Sequence, residues 1–299
     1  MRATRLRCLL ATLVLLTGAS PARDAVQLIG MLHEPSVSEI SGAAVSQRNP
    51  AYLFAVNDSQ NSPVLHVLAR SGGVVGTTQV NGVVNRDWED LAAFTLDGQP
   101  YLLIADTGDN GGLRSSLQLL VVAEPAVPAP PTVDVAWRIA FRLPEGARDI
   151  EAVSVDVAES AIYLIAKRHV PRVLYRLPLR PAEDAGVLVA ERIGTFNTLP
   201  PASNAEKNRD PKFGRFRGDV TSLALDPGGH YALVLSYRDL YLYRRADGAS
   251  WLQALSGKPR RLHVPLLPQA ESVALDARAG DAIVLSEGLF APIYRVAIH

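Results

Sequence analysis

Apolar positions along this chain fall into short runs rich in Val, Leu and Ala, punctuated by Gly, Pro, Asn and Asp, the layout of short strands joined by turns. One pattern returns five times: an acidic or polar residue stands two positions ahead of an apolar stretch built from small residues. It reads Glu39-Ile-Ser-Gly-Ala-Ala-Val, Asp87-Trp-Glu-Asp-Leu-Ala-Ala-Phe, Asp149-Ile-Glu-Ala-Val-Ser-Val, Asp219-Val-Thr-Ser-Leu-Ala-Leu and Gln269-Ala-Glu-Ser-Val-Ala-Leu. The starts lie 48, 62, 70 and 50 residues apart, the spacing of four-stranded blades with loops of variable length. The expected fold is all-β, a five-bladed β-propeller.

In the first repeat, Tyr52-Leu-Phe-Ala-Val, Val64-Leu-His-Val-Leu and Val74-Val-Gly-Thr-Thr-Gln-Val read as the second, third and fourth strands, and the same order recurs in the later repeats. The last repeat stops after Ile293-Tyr-Arg-Val-Ala-Ile, one outer strand short. Val26-Gln-Leu-Ile-Gly-Met-Leu, ahead of the first repeat, can supply that strand and close the ring, which removes exposed edges. The proline-rich stretch 125–131 reads as a surface hairpin loop. Residues 197–218 read as a long loop over one face, with a degenerate sixth blade as the alternative.

Residues 1–22 combine Arg2, Arg5 and Arg7 with an apolar run from Leu9 to Leu16 and small residues up to Ala22, the three-part layout of a secretory signal peptide. A secreted or periplasmic protein is expected, with one propeller domain over 23–299. The apolar run is too short to cross a bilayer, and no later stretch approaches the roughly 20 apolar residues a membrane helix needs. Cys8 is the one cysteine, so cleavage would leave no thiol for disulfides, zinc or nucleophilic attack. With 30 basic and 30 acidic residues, no global field favours nucleic acid. A Gly-x-Ser-x-Gly elbow is absent from the sequence, and a monomer is expected.

In such a fold the start of an inner strand and the end of the second strand meet at the same mouth. Strand starts bring Glu39, Asp87, Glu89, Asp90, Asp149, Glu151, Asp219 and Glu271 there, and second-strand ends bring Asp58, Asp106, Asp109, Lys167, Arg168, Arg238 and Glu287. Each acid can simply cap its own turn. As a group, like charges converging on a channel call for raised pKa values, cationic partners or a divalent ion. Oxygen donors without His or Cys favour Ca²⁺ over zinc, which makes Glu39, Asp58, Asp87, Asp90, Asp106, Asp109, Asp149, Glu271 and Glu287 the candidate ligands. The turn Asp106-Thr-Gly-Asp-Asn-Gly-Gly reads equally as a calcium loop or as a self-satisfied turn. Lys167, Arg168 and Arg238 either lie in surface ion pairs or receive an anionic group beside the cation.

At Asn85-Arg-Asp-Trp-Glu-Asp-Leu-Ala, Ile104-Ala-Asp-Thr-Gly-Asp-Asn and Asp149-Ile-Glu-Ala-Val the chain resembles a family of secreted bacterial β-propeller proteins of poorly defined function, over Ser38 to Glu287. More distantly it is similar to calcium-dependent propeller hydrolases, phytase-like and gluconolactonase-like, which implies carboxylates around a central ion. The phytase run of consecutive acids before Pro-Ala and the lactonase Glu-Gly-Pro start are absent. Two functions are expected in parallel. One is a Ca²⁺-supported hydrolase of phosphate esters or lactones, with Glu89 or Glu151 activating water and Lys167, Arg168 and Arg238 holding a small anionic molecule. The other is a non-catalytic module of the cell envelope or extracellular space that binds a peptide, glycan or protein.

Overall fold

The computed structural model describes residues 25–299, apart from Leu266 and Pro268. The expected signal peptide, residues 1–22, lies outside the described residues. Strand β1 (Val26–Met31) leads in. The first repeat forms β2 (Ile40–Val45), β3 (Tyr52–Asn57), β4 (Val64–Ala69) and β5 (Val74–Val80). The second forms β6 (Trp88–Leu96), β7 (Gln99–Asp106), β8 (Leu117–Ala123), the short β9 (Thr132–Val133) and β10 (Val135–Arg142). The third forms β11 (Ile150–Asp156), β12 (Ala161–Ala166), β13 (Arg172–Pro178), the short β14 (Leu188–Val189) and β15 (Glu191–Phe196), and helix α1 (Asn204–Arg209) follows in the long loop. The fourth forms β16 (Val220–Leu225), β17 (Tyr231–Ser236), β18 (Leu240–Arg244), helix α2 (Trp251–Ser256) and β19 (Arg260–Leu262). The fifth forms β20 (Ala270–Asp276), β21 (Asp281–Ser286) and β22 (Pro292–Ala297).

These strands make five antiparallel blades among the described residues, with β2, β6, β11, β16 and β20 innermost and in contact around a ring. As the sequence pattern predicts, β1 completes the fifth blade, pairing antiparallel with β22 from Val26 opposite Val296 to Met31 opposite Pro292. The hydrophobic core is correspondingly divided into five wedges, one between each pair of neighbouring blades. Inner and second strands are apolar on both faces because each is covered by a blade on either side, so β11 and β12 are buried at every residue. The 197–218 segment holds α1 and a 3₁₀ turn over Gly214–Phe216 but no strand, so the sixth-blade alternative does not hold.

Connections from third to fourth strands reach back onto the outer strand of the preceding blade. The Ser71 carbonyl accepts from Met31 N at 3.0 Å, tying blade one to blade five. β9 pairs parallel with β5, β14 pairs parallel with β10, and α2 lies against β15, where Thr198 Oγ1 donates to the Leu255 carbonyl at 2.7 Å. The proline-rich stretch is therefore more than a hairpin loop: it carries β9 to the edge of blade one, where the Gln79 N–H donates to the Pro131 carbonyl at 2.9 Å. Proline suits this position because it lies outside the ladder and needs no N–H of its own there.

Candidate functional site

Each inner strand is bulged at its second residue, so that pairing passes over Ser41, Glu89, Glu151, Thr221 and Glu271. A bulge re-aims side chains. Here Ser41, Glu89, Glu151 and Glu271 line the mouth, while the residue that follows in each strand, Gly42, Asp90, Ala152, Ser222 or Ser272, sits a step further along the channel.

An inner strand has a ladder partner on one edge only, so its other edge turns unpaired N–H groups towards the axis. Asp90 answers three of them, accepting from Leu91 N at 2.9 Å, Val153 N at 2.9 Å and Leu223 N at 3.3 Å, and also takes the Ser222 hydroxyl at 3.1 Å. Ser222 Oγ accepts from Val273 N at 3.2 Å, and Ser272 Oγ from Ala43 N at 2.6 Å. Burial pushes the Asp90 carboxyl well above its usual range, against the pull of these bonds. Beyond this waist the channel narrows to a cavity of about 50 Å³ lined mostly by Ala, Val and Leu.

A second ring stands around the mouth. Asp58, Thr107, Lys167, Tyr237 and Glu287 each follow a second strand, and each donates its N–H to the carbonyl of Glu39, Asp87, Asp149, Asp219 or Gln269, at 2.9, 3.1, 3.1, 3.3 and 3.0 Å. One backbone geometry thus holds five different side chains. Asn85 adds a brace, donating to the Asn57 and Asp58 carbonyls and accepting from Trp88 N, and Trp88 itself is a buried packing anchor.

Carboxylates gather on the blade-two side of the mouth. Asp58, Asp87 and Glu89 offer oxygens within 4.8 Å of one another, and so do Glu89, Asp149 and Glu151. Gly108 has the room-making role, since a Cβ there would lie 2.2 Å from Glu89 Oε1 and 2.4 Å from Asp87 Oδ2. Burial, a hydrogen bond shared with Asp58 and the charges of Asp58 and Asp149 push Asp87 up to about 7. Glu89 is raised well above its ordinary value, by burial first and then by Asp58, Asp149 and Asp87, with Lys167 opposing. Across the mouth, burial and then Glu271, Asp58 and Glu39 raise Glu287 to about 7, and burial raises Glu271.

Cations answer part of this charge. Lys167 Nζ pairs with Glu151 Oε1 and lies 5.3 Å from the centre of the Tyr237 ring. Arg168 reaches Asn110 Oδ1, stands 3.8 Å from Asp149 Oδ2 and covers the Phe216 ring. Glu151 Oε2 and Asp149 Oδ2 are buried and accept no hydrogen bond, and Arg168 faces the second only at ion-pair distance.

Other candidates sit elsewhere or are already engaged. Asp106 pairs with Arg114 at 2.9 Å and accepts from Gln118 at 2.7 Å. Asp109 accepts from Leu113 N and Arg114 N, a turn satisfied by its own aspartate. Glu39 is exposed and takes the Asn61 amide. Arg238 is held by Glu206 at 2.8 Å and Asp239 at 3.0 Å under the long loop, outside the mouth cavity. The loop brings instead Asp210, Phe213, Phe216 and Arg217, which with Tyr237 and Asn110 complete a cavity of about 470 Å³. Tyr237 was findable in the sequence, since it stands at the repeat offset of Lys167. The two phenylalanines carry only the signal of aromatic residues in a polar loop.

No family model matches this chain, and no curated protein matches it. Among solved structures it is similar to one from Bacteroides uniformis, provisionally described as a 6-phosphogluconolactonase, at 13% identity and a TM-score of 0.40. The match covers 82% of this chain, which spans 64% of that structure's length.

Proposed function

We propose that the mouth holds a divalent cation on the carboxylates around Glu89, and that the chain is a cation-dependent hydrolase of a small anionic substrate, a phosphate ester or a lactone. The observation that carries this reading is the convergence of buried carboxylates on Glu89, with Asp149 Oδ2 and Glu151 Oε2 accepting no hydrogen bond. Oxygens on a single Ca²⁺ at about 2.3–2.6 Å lie no more than about 5 Å apart, which both carboxylate triplets satisfy. The all-oxygen donor set fits Ca²⁺, and a bound ion would polarise the scissile group and stabilise its developing charge.

The chain's own residues supply the rest. Lys167 holds Glu151 through Oε1 and leaves Oε2 to accept the proton of an attacking water. Arg168, exposed and beside Asp149 at the rim of the cluster, receives the anionic group. Export to the periplasm or beyond belongs to the same proposal, and the processed chain should be found there. The binding-module reading draws on one observation, the aromatic wall of Phe213 and Phe216, which can grip a ligand without reacting.

Calcium titration calorimetry on the native chain and on Glu89→Gln, with hydrolysis of p-nitrophenyl phosphate and of a chromogenic lactone followed with calcium or chelator, tests the proposal. Calcium binding that weakens at least tenfold in Glu89→Gln, with chelator-sensitive turnover, is expected. Calcium binding without turnover of either class favours the binding module, and no cation binding overturns both the cation and the hydrolase.

A further inference from the structure

A second cavity of about 410 Å³ opens on the mouth face of blade two, between the loop that leads into β8 and the loop that leaves β10. Its chemistry is opposite to that of the mouth. Arg114, Arg142 and Arg148 line it together with Ser115 and Ser116, and no carboxylate does. Leu143 is buried and gives it an apolar floor.

The three guanidinium groups differ in what already holds them. Arg114 is clamped, with one terminal nitrogen on Asp106 Oδ1 at 2.9 Å and the other on the Gly108 carbonyl at 2.8 Å, so its charge is matched and its plane fixed. Arg142 and Arg148 make no ion pair among the described residues. Arg148 Nε is moreover buried without a hydrogen-bond partner, as is Arg114 Nε. A buried donor left unmade is costly, and a planar guanidinium is the group best shaped for two-point recognition of an oxyanion. The positive field is felt nearby: His169 is held below its ordinary value by burial first and then by Arg148 and Arg172.

We propose that this arginine-lined cavity binds an oxyanion of the phosphate or sulfate class, with Arg142 and Arg148 as its principal ligands and Ser115 and Ser116 as additional donors. Its volume falls in the range of small-ligand pockets, so it accepts the oxyanion together with an organic substituent. The loop that forms its wall also carries Asn110 to the mouth, and Asp109 N donates to Asp149 Oδ1 at 2.9 Å, so the two cavities share one structural element. The site does not depend on a cation in the mouth.

Titration calorimetry with inorganic phosphate, sulfate and acetate on the full chain, in chelator and at constant ionic strength, tests this. Saturable phosphate or sulfate binding in the millimolar range or tighter is expected, weakened at least tenfold in Arg142→Gln/Arg148→Gln, while any separate phosphate binding at the mouth is identified by its loss in Arg168→Gln. A control removing two exposed arginines elsewhere, Arg244→Gln/Arg278→Gln, separates a defined site from loss of general charge. Thermal melting of each variant shows that it is folded. Absence of saturable binding, equal loss in the control, or loss in Arg168→Gln alone overturns the proposal, whatever the outcome for calcium.

Discussion

Glu89 and Asp90 are neighbours in the chain and both are buried, yet they do different work. The bulge at the start of β6 turns Glu89 to the mouth among Asp58, Asp87, Asp149 and Glu151, and turns Asp90 to the axis. Asp90 closes a hydrogen-bond ring between blades two, three and four, with every bond supplied by the fold itself. Glu89 stands in a set of like charges that Lys167 and Arg168 only partly offset. The lesson is that burial alone does not separate a carboxylate whose charge the fold satisfies from one it leaves open. The number of donors the fold aims at it does.

The strongest way to break that comparison is Asp90→Ala. It strands three backbone N–H groups and a hydroxyl at the waist, and at about 1–3 kcal/mol per buried unsatisfied group the cost should be roughly 3 kcal/mol or more. Glu89→Gln, which removes a repelled charge, should leave the cation-free protein as stable or more so. Urea unfolding of both variants decides it, and an Asp90 loss no larger than the Glu89 change would break the distinction.

Gly42→Ala comes next. Its Cβ would fall 2.6 Å from the backbone of Asp90 and Leu91, so blades one and two must part at the waist, at about 1–3 kcal/mol of stability. Unfolding at unchanged calcium affinity is the expected signature. Gly108→Ala should do the reverse. The obstructed atoms are the ends of Glu89 and Asp87, so calcium binding should weaken on the order of 10-fold or more with little loss of stability.

The smallest effect is on pH. Glu287 is raised from about 4.5 to about 7 in the folded protein, so between those values the folded state holds a proton that the unfolded chain has lost. The contribution of Glu287 to stability without calcium is therefore fully present at and below about pH 4.5, is lost as pH rises towards 7 and is flat above. A melting temperature a few degrees lower at pH 8 than at pH 5, with the difference reduced in Glu287→Gln, is expected. A melting temperature that rises over that interval in native protein and variant alike would remove the mouth's repulsion from the account.

Much of this was legible in the chain. The five repeats mark inner strands because an inner strand needs small apolar residues to pack against both neighbouring blades, and the missing outer strand is answered by Val26–Met31 because a propeller must close. The mouth's membership was legible in outline from strand starts and ends. Its partition was not. Asp106 and Asp109 read as calcium ligands or as turn residues alike until Arg114, several positions on, is seen to fold back onto Asp106 and Gly108. Arg238 occupies the repeat position next to Tyr237, but Glu206 on α1 draws it under the long loop. Phe213 and Phe216 come from a segment whose pattern carries no strand period.

What the sequence by itself determined is the architecture and the face on which charge collects, because hydrophobic period and repeat length are local and survive in one dimension. Which carboxylates are satisfied and which remain open was decided only by the tertiary structure. A one-residue bulge reverses the direction of every side chain after it, and the donors that meet Asp90 come from blades that are distant in sequence, at Val153 and Leu223.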